Sequence, residues 1–414
     1  MEAMTQRSGR YQALLVGLLS LNFGILFFDR NALNFLMPFV RPDLGLSDTQ
    51  VGMLSSGLSL TWAIMGFTVG RLSDRLGSRK PIIVGATIAF CLCSVVSGFA
   101  ESFLMLLGAR ILMGAAEGGV MPVSHSMIAA EVNEERRGLA MGIGQNLGSN
   151  VLGSAVAPLV LIPVAIAYGW RDAFFLAAIP GLISAALIWF FIKEPAKRTE
   201  AHAAPRPTIA EAFADRNIQL CAVISVLLVS YLVCCWTFLP LYLTSERGFS
   251  PDVTKWLMAT LGISAGIGSF AVAALSDRIG RRPAIIGFSF LGVILPLGAM
   301  YFTGSPWLLA VIFFVGWGLN GVFPLFMATI PSESVDPRLT ASLTGIVMGI
   351  GEVLGGVLGP SIAGALSDSY GRSAVLWLML GMAVAAGIVG VGLRETAPRV
   401  LSRRLREAHL LSAI

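Results

Sequence analysis

The sequence predicts an all-α integral membrane protein in which twelve transmembrane helices form two six-helix bundles related by a pseudo-two-fold repeat. Composition, the spacing of apolar runs and internal repetition each point there. Of 414 residues, 55% are hydrophobic and 13% charged, where a soluble domain carries about 25% charge. Mean hydropathy is +0.78. Apolar runs recur along the chain, each reaching the roughly 20 residues needed to cross a core about 30 Å thick at about 1.5 Å per residue.

Breaks at charged or turn-rich segments place helices over 11–40, 51–70, 81–100, 103–130, 138–167, 173–192, 218–244, 253–275, 284–303, 306–330, 340–366 and 373–393. The polar start MEAMTQRSGR leads into a long apolar run without a small-residue cleavage site, so the first helix reads as retained and not as a removable signal peptide. The longest break, 193–217, is polar and rich in Pro and Ala. It reads as a cytoplasmic linker between an N-terminal bundle, 1–192, and a C-terminal bundle, 218–414, that ends in a short cytoplasmic tail. Lys and Arg crowd into the loops on one side. By the positive-inside rule, both termini are then cytoplasmic and the chain is multi-pass in the inner (plasma) membrane.

The net charge of +5 is accounted for by these loops, so nucleic acid is not an expected partner. Arginines of the tail are expected to meet lipid headgroups. The five cysteines all lie in apolar runs without ligand histidines at metal spacing, which reads as packing. No P-loop, metal cluster or nucleophile motif stands out, so the sequence predicts no enzyme, metal or cofactor. The energy for any work would come from an ion or solute gradient. One chain holds both bundles, so a monomer suffices.

The halves repeat. FLMPF (35–39) answers TFLPLY (237–242), GRLSDRLGSRK (70–80) answers ALSDRIGRRP (274–283), and GGVMPVSHSMIAAEVNEERRG (118–138) answers NGVFPLFMATIPSESVDPRLT (320–340). A parallel six-plus-six repeat is the signature of a transporter with a central cavity. The GRLSDRLGSRK segment resembles the loop motif G-x-L-a-D-r-x-G-r-k of the major facilitator superfamily, and the second half carries a copy with an alanine for the first glycine. The resemblance implies the major facilitator fold and alternating access. Asp74, Arg75 and Arg79, with Asp277, Arg278 and Arg281, are candidate gating residues: a loop carboxylate accepts hydrogen bonds from a neighbouring helix N-terminus or pairs with an arginine. Orienting the loops is the plainer role for the same charges.

Inside the apolar runs stand Asp29, Arg30, Arg110, Glu117 and Glu352. Each costs at least about 2.5 to 3.5 kcal/mol in hydrocarbon, so such residues usually face a cavity and work there. The second half has Tyr231, Leu232 and Leu319 where the first has Asp29, Arg30 and Glu117, so repeat symmetry does not explain the cluster. Arg110 and Glu117 are seven residues apart, about 10.5 Å along one helix face, too far to touch but suited to a shared pocket. A static buried ion pair is the competing reading, and such pairs stabilise weakly.

Two patterns, F-D-R-x-x-L in the first helix and R-x-x-x-G-x-x-E in the fourth, resemble the anion:cation symporter group, which moves organic acids with protons. The resemblance implies a proton-coupled symporter of a small organic anion, with Asp29 and Glu117 as the proton-linked acids and Arg30 and Arg110 as their partners or the anion's. Gln145, Asn146, Ser149 and Asn150 fall along one stripe of the fifth helix and suit hydroxyl or carboxylate recognition, or polar helix packing. Tyr231, Asn320 and Glu352 are further substrate-binding candidates from the second half, alongside the aromatic residues Trp62, Trp236, Trp317 and Phe323. Glu352 reads as a third protonatable site, a cation ligand or a hydrogen-bond partner. Export of a lipid-like amphiphile is the alternative, and a non-transporting solute receptor a more distant one.

Overall fold

The computed structural model describes residues 8–76, 78–195, 213–335 and 340–402, with the side chains of 71, 74–76, 134, 135, 137, 138 and 340–342 outside the description. Twelve helices among the described residues are long and apolar enough to cross a membrane, as the sequence predicts: α1 (Gly9–Leu44), α2 (Asp48–Gly70), α3 (Lys80–Gly98), α4 (Phe103–Glu131), α5 (Leu139–Tyr168), α6 (Trp170–Phe191), α7 (Arg216–Ser245), α8 (Pro251–Ile279), α9 (Arg281–Tyr301), α10 (Pro306–Ser334), α11 (Leu343–Tyr370) and α12 (Ser373–Val391). There are no strands among the described residues.

Helix ends follow local chemistry. α1 runs past Pro38 and Pro42 and stops at Gly45, whose φ of 60° turns its N–H back onto the Arg41 carbonyl. A residue with a side chain adopts that conformation poorly, so the glycine sets the boundary. The α5–α6 and α11–α12 turns show the same logic at repeat-related Gly169 (φ 101°) and Gly371 (φ 83°).

Two compact units are present, the described residues of Met1–Ala201 with Pro240–Ile263, and those of His202–Leu239 with Ser264–Ile414. The division therefore crosses α7 at Pro240 and α8 at Ser264. In unit 1, α1 crosses α5 so closely that a methyl group on Gly24 would collide with the Gly148 backbone, and one on Gly148 with the Ser20 carbonyl. Gly114 and Gly118 let α4 approach the Leu58 and Trp62 carbonyls of α2 in the same way. Such backbone contact is how helices associate where lipid offers no hydrophobic drive. The start of α8 joins unit 1 because Gly262 seats on the Ser154–Ala155 backbone of α5. In unit 2, Gly355 and Gly359 bring α11 onto Val226 and Ser230 of α7.

Buried polar groups knit the same helices. Asn22 of α1 accepts hydrogen bonds from Thr87 of α3 (3.1 Å) and Ser184 of α6 (2.9 Å). At the end of unit 1 away from the N-terminus, Asp43 accepts from Trp170 Nε1 (3.0 Å) and Arg171 (2.7 Å), closing α1 onto α6. Some departures from regular helix fall in repeat-related places. Wide i→i+5 turns occupy Ile143–Leu147 and Ser149–Val156 of α5 and Gly351–Leu358 of α11. In α4 a turn at Gly118–Gly119 interrupts the helix after Glu117, and α10 tightens over Trp317–Val322. Such departures are frequent at functional sites.

Candidate functional site

Asp29 and Arg30 are neighbours in sequence and diverge in space. Successive residues of an α-helix point about 100° apart, so the two side chains leave α1 towards different helices. Asp29 is fully buried and accepts a hydrogen bond from Ser94 Oγ of α3 (2.5 Å), whose hydroxyl also lies 3.3 Å from the Phe174 carbonyl of α6. Its Oδ2 has no partner. Arg30 turns the other way and is partly buried. Its guanidinium sits 5.6 Å from the centre of the Phe27 ring and 5.3 Å from that of Trp62 on α2, within the range of cation–π attraction.

Arg110 of α4 ties its helix to α1 beside them. Buried to 3% exposure, it donates from Nη2 to the Arg30 carbonyl (2.7 Å) and from Nη1 to Met113 Sδ (2.9 Å), while its Nε has no partner. Glu117, two turns further along α4, is fully buried, and neither carboxylate oxygen has a hydrogen-bond partner. Among charges, both Asp29 and Glu117 lie within electrostatic range of Arg110, and Glu117 also within that of Arg30. None of the four forms a direct ion pair with another among the described residues, so two acids and two bases share a buried volume without neutralising one another at contact distance.

On α5, Gln145, Asn146 and Asn150 lie in the wide-turned segment and are partly buried. Ser149 is spent locally, donating to the Gln145 carbonyl (2.6 Å). The unit 2 candidates have their own surroundings. Tyr231 is buried, its hydroxyl donates to the Gly292 carbonyl of α9 (2.8 Å) and its ring lies 6.1 Å from Trp317. Trp317 in turn meets Trp236 edge-on at 5.4 Å. Asn320 sits in the tightened turn of α10 and Glu352 in the wide turn of α11, both partly buried.

The repeated loop motif meets a partner that the motif itself does not reveal. Glu194, just after α6, accepts from the N–H groups of Arg79 (2.6 Å) and Lys80 (2.9 Å) at the start of α3. Glu395, just after α12, accepts from those of Arg281 (2.7 Å) and Arg282 (3.3 Å) at the start of α9. A carboxylate on a helix N-terminus satisfies orphan donors and the helix dipole together. The signal is present in the sequence as KEPA (193–196) and RETA (394–397). Arg281 also pairs with Asp277 (2.7 Å) and with Glu333 of α10 (3.0 Å), and Thr396 donates to Glu333 (2.6 Å). Arg278 is exposed. The side chains of Asp74 and Arg75 lie outside the described residues.

Helix count, repeat and buried charge together define a polytopic transporter. The family signature of the Major Facilitator Superfamily matches residues 19–236 and again 220–412, and the chain belongs to that superfamily. It is accordingly a multi-pass membrane transporter and not an enzyme. The chain is 32% identical over 399 residues to a probable 4-methylmuconolactone transporter of Cupriavidus pinatubonensis, covering 92% of this chain and 90% of that one. A probable sulfoacetate transporter of Cupriavidus necator is 26% identical, with 92% and 91% covered. The hexuronate transporter of Bacillus subtilis is 27% identical, with 86% and 88% covered. These relatives agree with the resemblance to the anion:cation symporter group. Among solved structures, a bacterial homologue of the human lysosomal transporter Spinster superposes with a TM-score of 0.77 at 20% identity, covering 93% of this chain and 97% of that one. At that identity the likeness speaks for the fold alone.

Proposed function

We propose that the chain is a proton-coupled symporter of a small organic anion, working by alternating access of an N-terminal (1–192) and a C-terminal (218–414) bundle in the inner (plasma) membrane, with both termini cytoplasmic. The observation that carries the reading is the state of the two acids. Glu117 has neither oxygen hydrogen-bonded and Asp29 has one oxygen free. A buried carboxylate left so is costly while charged, and it is relieved by a proton or by an arriving cationic or donor group.

The arginines supply the other half. With Arg110 anchored on the Arg30 carbonyl, Arg30 is the more accessible cation, and it lies beside the unpartnered Trp62 Nε1. A carboxylate or sulfonate approaching Arg30 takes a charge-assisted hydrogen bond from the guanidinium. It also offsets positive charge that favours an ionised Glu117, so anion arrival favours proton uptake there. Release of either then weakens the hold on the other. That mutual dependence is coupling. Gln145, Asn146 and Asn150 are assigned to the anion's remaining polar groups, with Asn320, Tyr231 and Glu352 as contributions from the second half. Relatives named for sulfoacetate and hexuronate, both small organic anions, support the substrate class.

The test is proton flux. Purified protein in liposomes carrying an internal pH dye is given a panel of carboxylates and sulfonates with the electrical potential clamped. The proposal expects internal acidification with at least one member and none in empty liposomes. Uptake of a solute with no accompanying proton movement would reject symport.

A further inference from the structure

The two repeat-related loops differ in what covers their second base. At the start of α3 the Lys80 ammonium lies over the Trp189 ring of α6, 4.8 Å from its centre. At the start of α9 the matching base is Arg282, and the residue of α12 that matches Trp189, five before the capping glutamate in each half, is Gly390. Nothing aromatic covers the second site. A groove lies open there, lined by Arg282, Pro283, Ile286, Gly287 and Glu395. A methyl group built on Gly287 would meet nothing within 4 Å.

We infer that this groove binds an anionic phospholipid, the headgroup phosphate on Arg282 and an acyl chain along α9. Charge favours that occupant. Glu395 lines the groove, but its carboxylate is saturated by the N–H groups of Arg281, Arg282, Thr396 and Ala397. Arg281 is committed to Asp277 and Glu333, whereas Arg282 makes no ion pair among the described residues. Arg394 and Arg399 beside the capping turn are exposed, so the unspent charge at this end of the unit is positive. A guanidinium offers a phosphate a fork of donors.

The rest of the groove suits a hydrocarbon tail. From Gly287 the exposed face of α9 continues through Phe290, Ile294 and Leu297, which are 42%, 37% and 36% exposed. A basic residue at the head of an open apolar track, at the end of a membrane-crossing helix, matches the division of a lipid into headgroup and chain. Free phosphate would use Arg282 and leave the track empty. In unit 1 the matching Gly85 is equally open, and what differs is the base, since Lys80 lies over the Trp189 ring.

Native mass spectrometry of the full chain in detergent, titrated with phosphatidylglycerol, tests this, with phosphatidylcholine and inorganic phosphate as comparison arms. The expected result is retained phosphatidylglycerol that falls at least fivefold in Arg282→Gln and in Gly287→Leu, stays unchanged in Lys80→Gln, and gains one adduct in Trp189→Gly, where a second groove opens. That gain separates site loss from a variant that merely misfolds. Undiminished adducts in both Arg282→Gln and Gly287→Leu would overturn the inference, as would equal loss in Lys80→Gln, which would make the effect one of general surface charge. Equal retention of phosphatidylcholine, or displacement of the lipid by millimolar phosphate, would also overturn it. So would adducts that appear only after removal of 403–414, since that segment would then be the occupant.

Discussion

Adjacent residues of one helix serve two different neighbourhoods in this transporter. Asp29 is held against α3 by Ser94, and Arg30 lies on the aromatic faces of Phe27 and Trp62. The stack makes a definite prediction. A partly buried cation–π contact contributes about 1 to 2 kcal/mol, so Trp62→Ala is expected to raise the KM for the transported anion about five- to thirtyfold while the maximal rate stays within about twofold. An unchanged KM would separate Trp62 from substrate binding. Arg30→Lys should behave similarly, since it keeps the charge and loses the planar face. The four buried charges are legible in the sequence because each breaks an apolar run. That Arg110 ties to the Arg30 carbonyl, and that neither Glu117 oxygen finds a hydrogen-bond partner, is not. Periodicity assigns a residue to a face of its own helix and says nothing about which helix lies opposite.

Helices in unit 1 are spaced by their glycines, and the capping glutamates fix where α3 and α9 begin. Replacing Gly148 by valine sets a branched side chain against the Ser20 carbonyl and the Gly24 N–H. The variant should express poorly, or melt in detergent several degrees below the parent, and a melting temperature equal to the parent's would show that α1 and α5 can separate at little cost. Glu194→Gln and Glu395→Gln each keep a hydrogen-bond acceptor and lose the charge at a helix N-terminus. The expected destabilisation is about 0.3 to 1 kcal/mol each. Comparing the melting of both variants at low and high salt checks this, because a dipole interaction shrinks with screening. All twelve helices are legible in the sequence, since length and hydropathy are enough to mark a crossing. The wide turns of α5 and α11 are not. A glycine-rich run permits them, but only packing against α1 or α7 selects them.

At the scale of the whole chain, the repeat and the loop motif are enough to reach the superfamily from the amino-acid sequence, because motif copies, helix number and charge distribution reinforce one another. The compact units cut α7 at Pro240 and α8 at Ser264, a division no composition shift announces, since it depends on contacts such as Gly262 on the α5 backbone. The ionisable cluster lies wholly in the N-terminal half of the chain, while the second half has Tyr231, Leu232 and Leu319 at the matching positions. The proposed symport therefore assigns its protons to one half. The most direct measurement compares wild type, Asp29→Asn and Glu117→Gln in proteoliposomes, reading both uptake of a labelled organic anion driven by an inward proton gradient and exchange of that anion at equal pH. Proton-driven uptake lost in both variants, with exchange preserved in at least one, is the predicted result. Driven uptake that survives both substitutions at the wild-type rate would contradict the assignment of the proton to these two acids.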